Sequence, residues 1–178
     1  MEYKALLMDE AQMRRSLARI PHEIIEKNCG CENIMLIGIK RRGIHLAHIL
    51  AQNIEKFEGV RVPVGHVDIS PYRDDRKKSD PVATADDCHF PESVEGRTVV
   101  IVDDVIYTGR TTRAAIEAVF AMGRPRAIQL AVLIDRGHRE LPIKPDFVGK
   151  NVPTSHDEKI SVFVEDIDGY FKVVLEDR

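Results

Sequence analysis

Between Val99 and Thr112 the chain reads as an apolar run, two adjacent carboxylates and a hydroxyl-rich glycine turn: Val99-Val100-Ile101-Val102, Asp103-Asp104, Val105-Ile106-Tyr107, Thr108-Gly109-Arg110-Thr111-Thr112. The apolar run predicts a buried strand, and ligands of open α/β sheets sit beyond the carboxyl ends of strands, which is where the acid pair falls. Thr108 to Thr112 would offer backbone N–H groups, three hydroxyls and a helix N-terminus to one point, with Gly109 permitting close approach, so the turn suits a phosphate. Two carboxylates a few ångströms before that phosphate cannot hold a second one, but they are good acceptors for vicinal hydroxyls. Phosphate plus diol describes a ribose 5-phosphate. An Asp-Asp pair is often only a strand end and Thr-Gly a common turn; the ordered combination is far more specific than its parts.

A second strand end, Gly38-Ile39-Lys40-Arg41-Arg42-Gly43, sets three cations between two glycines. Alone it is an ordinary solvated loop.

The elements that must position these residues follow from periodicity. Ile34 to Ile39, Thr98 to Val102 and Ile128 to Ile134 are short, nearly continuous aliphatic runs, as in central strands covered on both faces. Met13, Leu17, Ile20 and Ile24 recur at helical spacing, as do Ile116, Val119 and Phe120 ahead of Gly123 and Pro125. Ile44 to Ile54 is a third helix. Pro21, which removes a backbone donor, predicts a break near Ile20. Ile160 to Glu165 and Tyr170 to Leu175 predict a terminal hairpin around Asp168-Gly169. Ser70 to Glu95 is polar, with Pro71, Pro81 and Pro91, and reads as a mobile functional loop or lid. The alternation implies an α/β fold with a largely parallel sheet.

Composition bounds the answer. With 178 residues, one domain is expected. The 43% hydrophobic and 31% charged shares are those of a globular chain without a membrane span. Met1 to Ala11 does not read as a signal peptide, so a cytoplasmic location is expected. Cys29, Cys31 and Cys88 have no framework spacing and are read as plain thiols. The net charge of −3 hides an asymmetry. Gln12 to His45 and Arg124 to Lys150 are basic and Asn151 to Arg178 is acidic, so a local anionic partner, phosphate or nucleic acid, is one reading and solvated helix faces the other.

The Val99 to Thr112 stretch resembles the phosphoribosyl diphosphate signature of the type I phosphoribosyltransferases. That resemblance implies that Asp103 and Asp104 take the ribose hydroxyls and Thr108, Gly109, Arg110, Thr111 and Thr112 the 5-phosphate of 5-phosphoribosyl 1-diphosphate. Lys40, Arg41 and Arg42 would hold the diphosphate, and Arg73 would reach it when the lid closes. Mg2+, held mainly by substrate and water, is the implied cofactor. The implied chemistry is displacement at the anomeric carbon, shielded from water by the closed lid.

Further runs narrow the resemblance: Ile134-Asp135-Arg136-Gly137-His138-Arg139-Glu140-Leu141-Pro142, Asp146 to Ser155, Asp68-Ile69-x-x-Tyr72-Arg73-Asp74-Asp75, and Arg14-Arg15-x-Leu17-x-Arg19-Ile20-x-His22-Glu23. Over nearly the whole chain these are similar to the bifunctional pyrimidine operon attenuator and uracil phosphoribosyltransferase family (PyrR). The resemblance implies uracil as acceptor, UMP as product and UMP-dependent binding of pyrimidine operon leader RNA. It implies a core over about 10–152, a hood from about 1–9 and 153–178, a mobile loop over about 70–90, and a homodimer or higher homo-oligomer. Val105, Tyr107, Asp135 and Arg136 are the candidate base contacts. The RNA surface maps onto Arg19, His22, Lys27, His138, Arg139, Lys144 and Lys150, and helical spacing sets Arg15 on one stripe with Arg19 and His22, while Ala18 and Arg41 stand where the family usually has threonine. A uracil enzyme without RNA binding, a hypoxanthine-type purine enzyme and a binding protein without catalysis are the alternatives.

Overall fold

A computed structural model describes residues 3–69 and 88–177; Arg73 and most of the expected lid lie outside them. The elements run β1 (Ala5–Met8), α1 (Glu10–Asn28), β2 (Ile34–Ile39), α2 (Arg42–Glu58), β3 (Val64–Val67), β4 (Thr98–Ile106), α3 (Arg110–Ala121), β5 (Ala127–Asp135), β6 (Phe147–Asn151), β7 (Glu158–Phe163), α4 (Glu165–Asp168) and β8 (Lys172–Asp177).

Five strands form a parallel sheet in the order β3-β2-β4-β5-β6. Its central strands are continuous apolar runs because both faces are covered. Leu36, Val100, Val102 and Leu133 pack on one face with Leu17, Ile20, Ile24, Leu46 and Leu50 of α1 and α2. Their neighbours Met35, Ile37, Val99, Ile101 and Val132 pack on the other with Ala115, Ala118 and Val119 of α3. The layers make the expected α/β arrangement with a parallel central sheet, and a small antiparallel sheet β1-β8-β7, built from both ends of the chain, makes the hood.

Several expectations change. The central strands extend past their apolar runs, β4 to Ile106 and β5 to Asp135. β1, β3 and β6 are short strands that periodicity did not pick out. The terminal hairpin forms, but Asp168-Gly169 ends a helical turn, α4, whose C-cap Gly169 has φ +80°, instead of making the tight turn itself. Phe120 is 56% exposed. The buried residues of α3 are Thr112, Ala114, Ala115, Ala118 and Val119, mostly small ones that let the helix sit close to the sheet. The far end of the expected lid is anchored: His66 and His89 exchange backbone hydrogen bonds of 2.9 and 2.8 Å, and Val94 is buried.

The break near Ile20 does not occur. α1 runs unbroken from a capping box, in which Asp9 and Gln12 exchange side-chain to backbone bonds, to Cys29 in a left-handed C-cap. Pro21 lacks the N–H that would satisfy the Leu17 carbonyl. Asn53 of α2 donates to that carbonyl at 2.8 Å instead, so the lost helical bond is replaced across the helix pair.

Candidate phosphoribosyl site

The chain leaves β2 to add β3 on one side and returns to place β4 on the other, so strand order reverses between β2 and β4. Loops leaving two such strands diverge to opposite faces and open a crevice at their carboxyl ends. β2 pairs with β4 only as far as Gly38 opposite Val102. Asp103 and Asp104 follow at once, still inside β4, with Asp103 paired to Val132 of β5 on the other side, so the acid pair reaches the crevice within a strand and not in a loop beyond it.

Two glycines fold the β2–α2 loop against this point. A side chain on Gly43 would come within 2.4 Å of the Val102 carbonyl oxygen, and one on Gly38 within 2.5 Å of the Ile44 Cα. Lys40, Arg41 and Arg42 therefore pass beside the acid pair, and the Lys40–Arg41 peptide is cis. Arg41 is exposed. Lys40 Nζ lies 3.9 Å from Asp68. Arg42 is turned toward the hood, where its guanidinium meets Asp168 at 3.3 Å.

Asp103 is 8% exposed, and its Oδ1 accepts the Asp104 backbone N–H at 2.9 Å. Burial first, and the neighbouring Asp104 carboxylate second, push the Asp103 carboxyl well above the ordinary aspartate range. Asp104 Oδ1 accepts the Val105 N–H at 2.9 Å.

At the turn, Gly109 has φ +94°, a left-handed backbone that side chains resist, and α3 begins at Arg110 with no acid in its first turn. Thr108 Oγ1 lies 3.4 Å from the Arg110 N–H. Thr111 is exposed, but Thr112 is 2% exposed and faces the core, so two of the three expected hydroxyls are presented. Arg110 pairs with Glu140 at 2.8 Å.

The end of β5 supplies the opposite wall. Asp135 accepts from Arg139 through both carboxylate oxygens at 2.7 and 2.6 Å, and Arg139 also donates to the Tyr107 carbonyl at 2.7 Å. Arg136 is buried beside the Tyr107 ring. Val105 is half-buried, packed against the α1 and α2 face of the core.

The candidate RNA residues divide between places. Arg15, Arg19 and Lys150 converge on a groove of about 410 Å³ between α1, β1 and β6. There Arg19 donates to the Gly149 carbonyl at 2.7 Å and Lys150 to that of Leu7 at 2.8 Å. Lys27 pairs with Asp146 at 2.6 Å, and Lys144 is exposed. His22 is exposed on the same unbroken helix and stacks on Phe57 of α2 at 4.1 Å. His138 and Arg139 belong to the β5 strand end, beside Tyr107 and Asp135. Ala18 lines a separate cavity of about 420 Å³ between α1, α2 and α4.

Sequence reasoning missed Asn53, His156 and the acids of α4. The signal for the last was charge complementarity. Arg14, Arg42 and His45 of the basic segment pair with Glu165, Asp168 and Asp166 of the acidic tail, so part of the asymmetry is satisfied within the chain. Among the described residues no helix is long and apolar enough to cross a membrane.

Residues 7–167 match the family described as "Phosphoribosyl transferase domain". The chain is 54% identical over 165 residues to "Bifunctional protein PyrR" of Brevibacillus brevis, covering 93% of this chain and 92% of that protein. The proteins of the same name from Clostridium perfringens and Thermus thermophilus are 56% and 53% identical, covering 95% and 98% of their lengths and 95% and 100% of this one. Among solved structures, a hypoxanthine phosphoribosyltransferase of Trypanosoma cruzi superposes with a TM-score of 0.74 over 98% of this chain and 97% of that one; at 20% identity the likeness is one of fold. A phosphoribosyl transferase domain over most of the chain, and full-length relatives of one name at more than half identity, make this chain a member of the PyrR family of phosphoribosyltransferases.

Proposed function

We propose that this chain is a uracil phosphoribosyltransferase, converting uracil and 5-phosphoribosyl 1-diphosphate to UMP and diphosphate, and that with UMP bound it engages pyrimidine operon leader RNA to attenuate transcription. The observation that carries the catalytic half is the crevice at the β2–β4 reversal, where the acid pair, the glycine turn of α3 and the cationic β2–α2 loop meet.

In this reading Asp103 and Asp104 accept the ribose hydroxyls, and the backbone from Thr108 to Arg110, with Thr108 and Thr111, holds the 5-phosphate at the start of α3. Lys40 and Arg41 face the diphosphate, with Arg73 reaching it from outside the described residues. Arg42 joins them once it releases Asp168. The base lies toward Val105, Tyr107 and Asp135. Bond breaking leads bond making at the anomeric carbon, so fixed cations at the departing diphosphate and carboxylates near the positive sugar both lower the barrier.

Among the described residues no three His, Cys, Asp or Glu side chains are grouped as a metal cage. A carboxylate pair beside a phosphate turn fits a Mg2+ ion that would be held mainly by substrate and water oxygens. When bound, it neutralises charge on the diphosphate.

The groove of Arg15, Arg19 and Lys150 supports the RNA reading, because cations along one groove track a phosphate backbone. The working unit is one catalytic domain with its hood, assembled as a homodimer or a higher homo-oligomer in the cytoplasm. Assays with Mg2+ and uracil, hypoxanthine, guanine, adenine or orotate test the acceptor: turnover with uracil alone is expected, and turnover with hypoxanthine would overturn it. Titration of leader RNA with and without UMP, across a salt series, tests the regulator. UMP-dependent binding that weakens steeply with salt is expected. Sedimentation velocity reads the assembly.

A further inference from the structure

Tyr107 stands between the acid pair and the phosphate turn, and its side chain is held from three directions. The Arg136 guanidinium lies over the ring face, 4.0 Å from the centroid. The His138 ring meets it edge-on at 5.7 Å. Its hydroxyl lies 3.2 Å from His156 Nδ1. His156 reaches it from the segment that leads into β7, so the group on the hydroxyl belongs to the hood and the group on the ring face to β5's end.

One guanidinium ties these together. Arg136 is 6% exposed; its Nε donates to Thr154 Oγ1 at 3.0 Å, and its Nη2 to the carbonyls of Ser155 and Glu158 at 3.0 and 2.8 Å. The acceptors flank His156 in the chain, so these donors are spent on backbone and hydroxyl groups of the hood, not directed to a base. The planar fork that holds the 154–158 segment is also the surface on which the Tyr107 ring rests.

We propose that Arg136 and His156 are positioning residues for the acceptor base that act through Tyr107, Arg136 from the ring face and His156 from the hydroxyl, so that the hood's placement sets one wall of the acceptor pocket. The inference deepens the uracil transfer reading and rests on it. It also moves Arg136 from a base contact to a residue one step removed. A ring fixed before the base arrives needs no ordering on binding, so the benefit falls on the base and not on the sugar phosphate, which other residues hold.

The test is steady-state kinetics with uracil and 5-phosphoribosyl 1-diphosphate varied in turn, on Tyr107→Phe, His156→Ala, His156→Asn, the double variant Tyr107→Phe/His156→Ala, and Arg136→Lys. Loss of one net hydrogen bond should raise KM for uracil up to about tenfold in each of the first two. KM for the phosphoribosyl donor should stay within about twofold, and the double variant should be no worse than the weaker single, as expected for one shared interaction. His156→Asn, whose amide can still meet the phenol, should recover most of the affinity for uracil. Arg136→Lys should fall with His156→Ala, since an ammonium cannot both stack on the ring and span the 154–158 acceptors. Should Arg136→Lys fail to fold, the His156 variants decide alone, because that side chain is exposed.

Additive losses, equal increases in both KM values, or no recovery with asparagine would overturn the proposal. So would an Arg136→Lys enzyme that loses kcat while KM for uracil holds, since that is the mark of direct contact with the reacting base. If the unsubstituted enzyme turns over hypoxanthine and not uracil, the acceptor reading itself fails, and the unsubstituted control alone reveals it.

Discussion

Asn53 Nδ2 lies 2.8 Å from the Leu17 carbonyl oxygen, the acceptor that Pro21 leaves without its helical donor. A residue of α2 thereby completes the hydrogen bonding of α1, and the two helices that cover one sheet face are fastened at the turn where α1 would otherwise break. Asn53→Ala should cost about 1 kcal/mol, the net worth of such a bond. Restoring the internal donor with Pro21→Ala should recover much of that loss in the Asn53→Ala background and add less in the native one. A urea double-mutant cycle measures the difference, and equal effects of Pro21→Ala in both backgrounds would refute the coupling.

Asp103 ties stability to function with opposite signs. Its carboxyl is raised in the folded chain by burial and by Asp104, so the folded state binds its proton more tightly than the unfolded state does. Stability therefore falls as pH rises from the unfolded value, near 3.8, through the raised folded value. Asp103→Asn removes that penalty. At neutral pH the variant should melt at a higher temperature than the native chain, with the difference closing as pH falls below about 3.8. Phosphoribosyl transfer should be severely reduced in the same variant. Melting curves across pH beside one activity assay check both halves.

Gly43 sets how closely the cationic loop approaches the acid pair. An added methyl meets the Val102 carbonyl oxygen at 2.4 Å, too near for a carbon, and the obstacle is backbone. Gly43→Ala should destabilise the chain by about 1–3 kcal/mol, as overpacking does. In the molecules that fold, KM for the phosphoribosyl donor should rise more than KM for uracil, because the shift separates the diphosphate loop from the ribose carboxylates. Initial-rate kinetics with each substrate varied resolve the two.

Lys150 and Arg15 share the groove beside α1. If the groove tracks RNA phosphates, Lys150→Ala should weaken leader RNA alike for matched and mismatched sequences and lower the slope of log K against log salt by about 1. Filter binding at several salt concentrations reads the slope, and an unchanged slope would remove Lys150 from the interface.

Much of this is legible in the sequence, for local reasons. Ile34 to Ile39 and Thr98 to Val102 are continuous aliphatic runs because strands covered on both faces leave no position for a polar residue. The acid pair and the glycine turn are adjacent in the chain, so order and spacing alone described a ribose 5-phosphate. What failed did so where a distant partner overrode a local preference. Pro21 carries a real local cost, and only the packing of α2 shows that Asn53 meets it. Phe120 fits a helical period, yet the stripe that faces the sheet is set by how close α3 lies to it. Thr112 is a hydroxyl in a phosphate-like motif, but the helix phase after Gly109 turns it into the core.

The candidate site divides along the same line. By itself the sequence determined the strand that carries Asp103 and Asp104, the turn that follows and the reaction these imply, because residues that act together there are neighbours in the chain. Tertiary structure alone decided that Arg42 faces Asp168 of the hood, that Arg139 ties Asp135 to the Tyr107 carbonyl, and that His156 meets the Tyr107 hydroxyl. Each joins residues that lie apart in the chain or on different elements, and their meeting depends on how the hood and the ends of the sheet come together, which no local periodicity records.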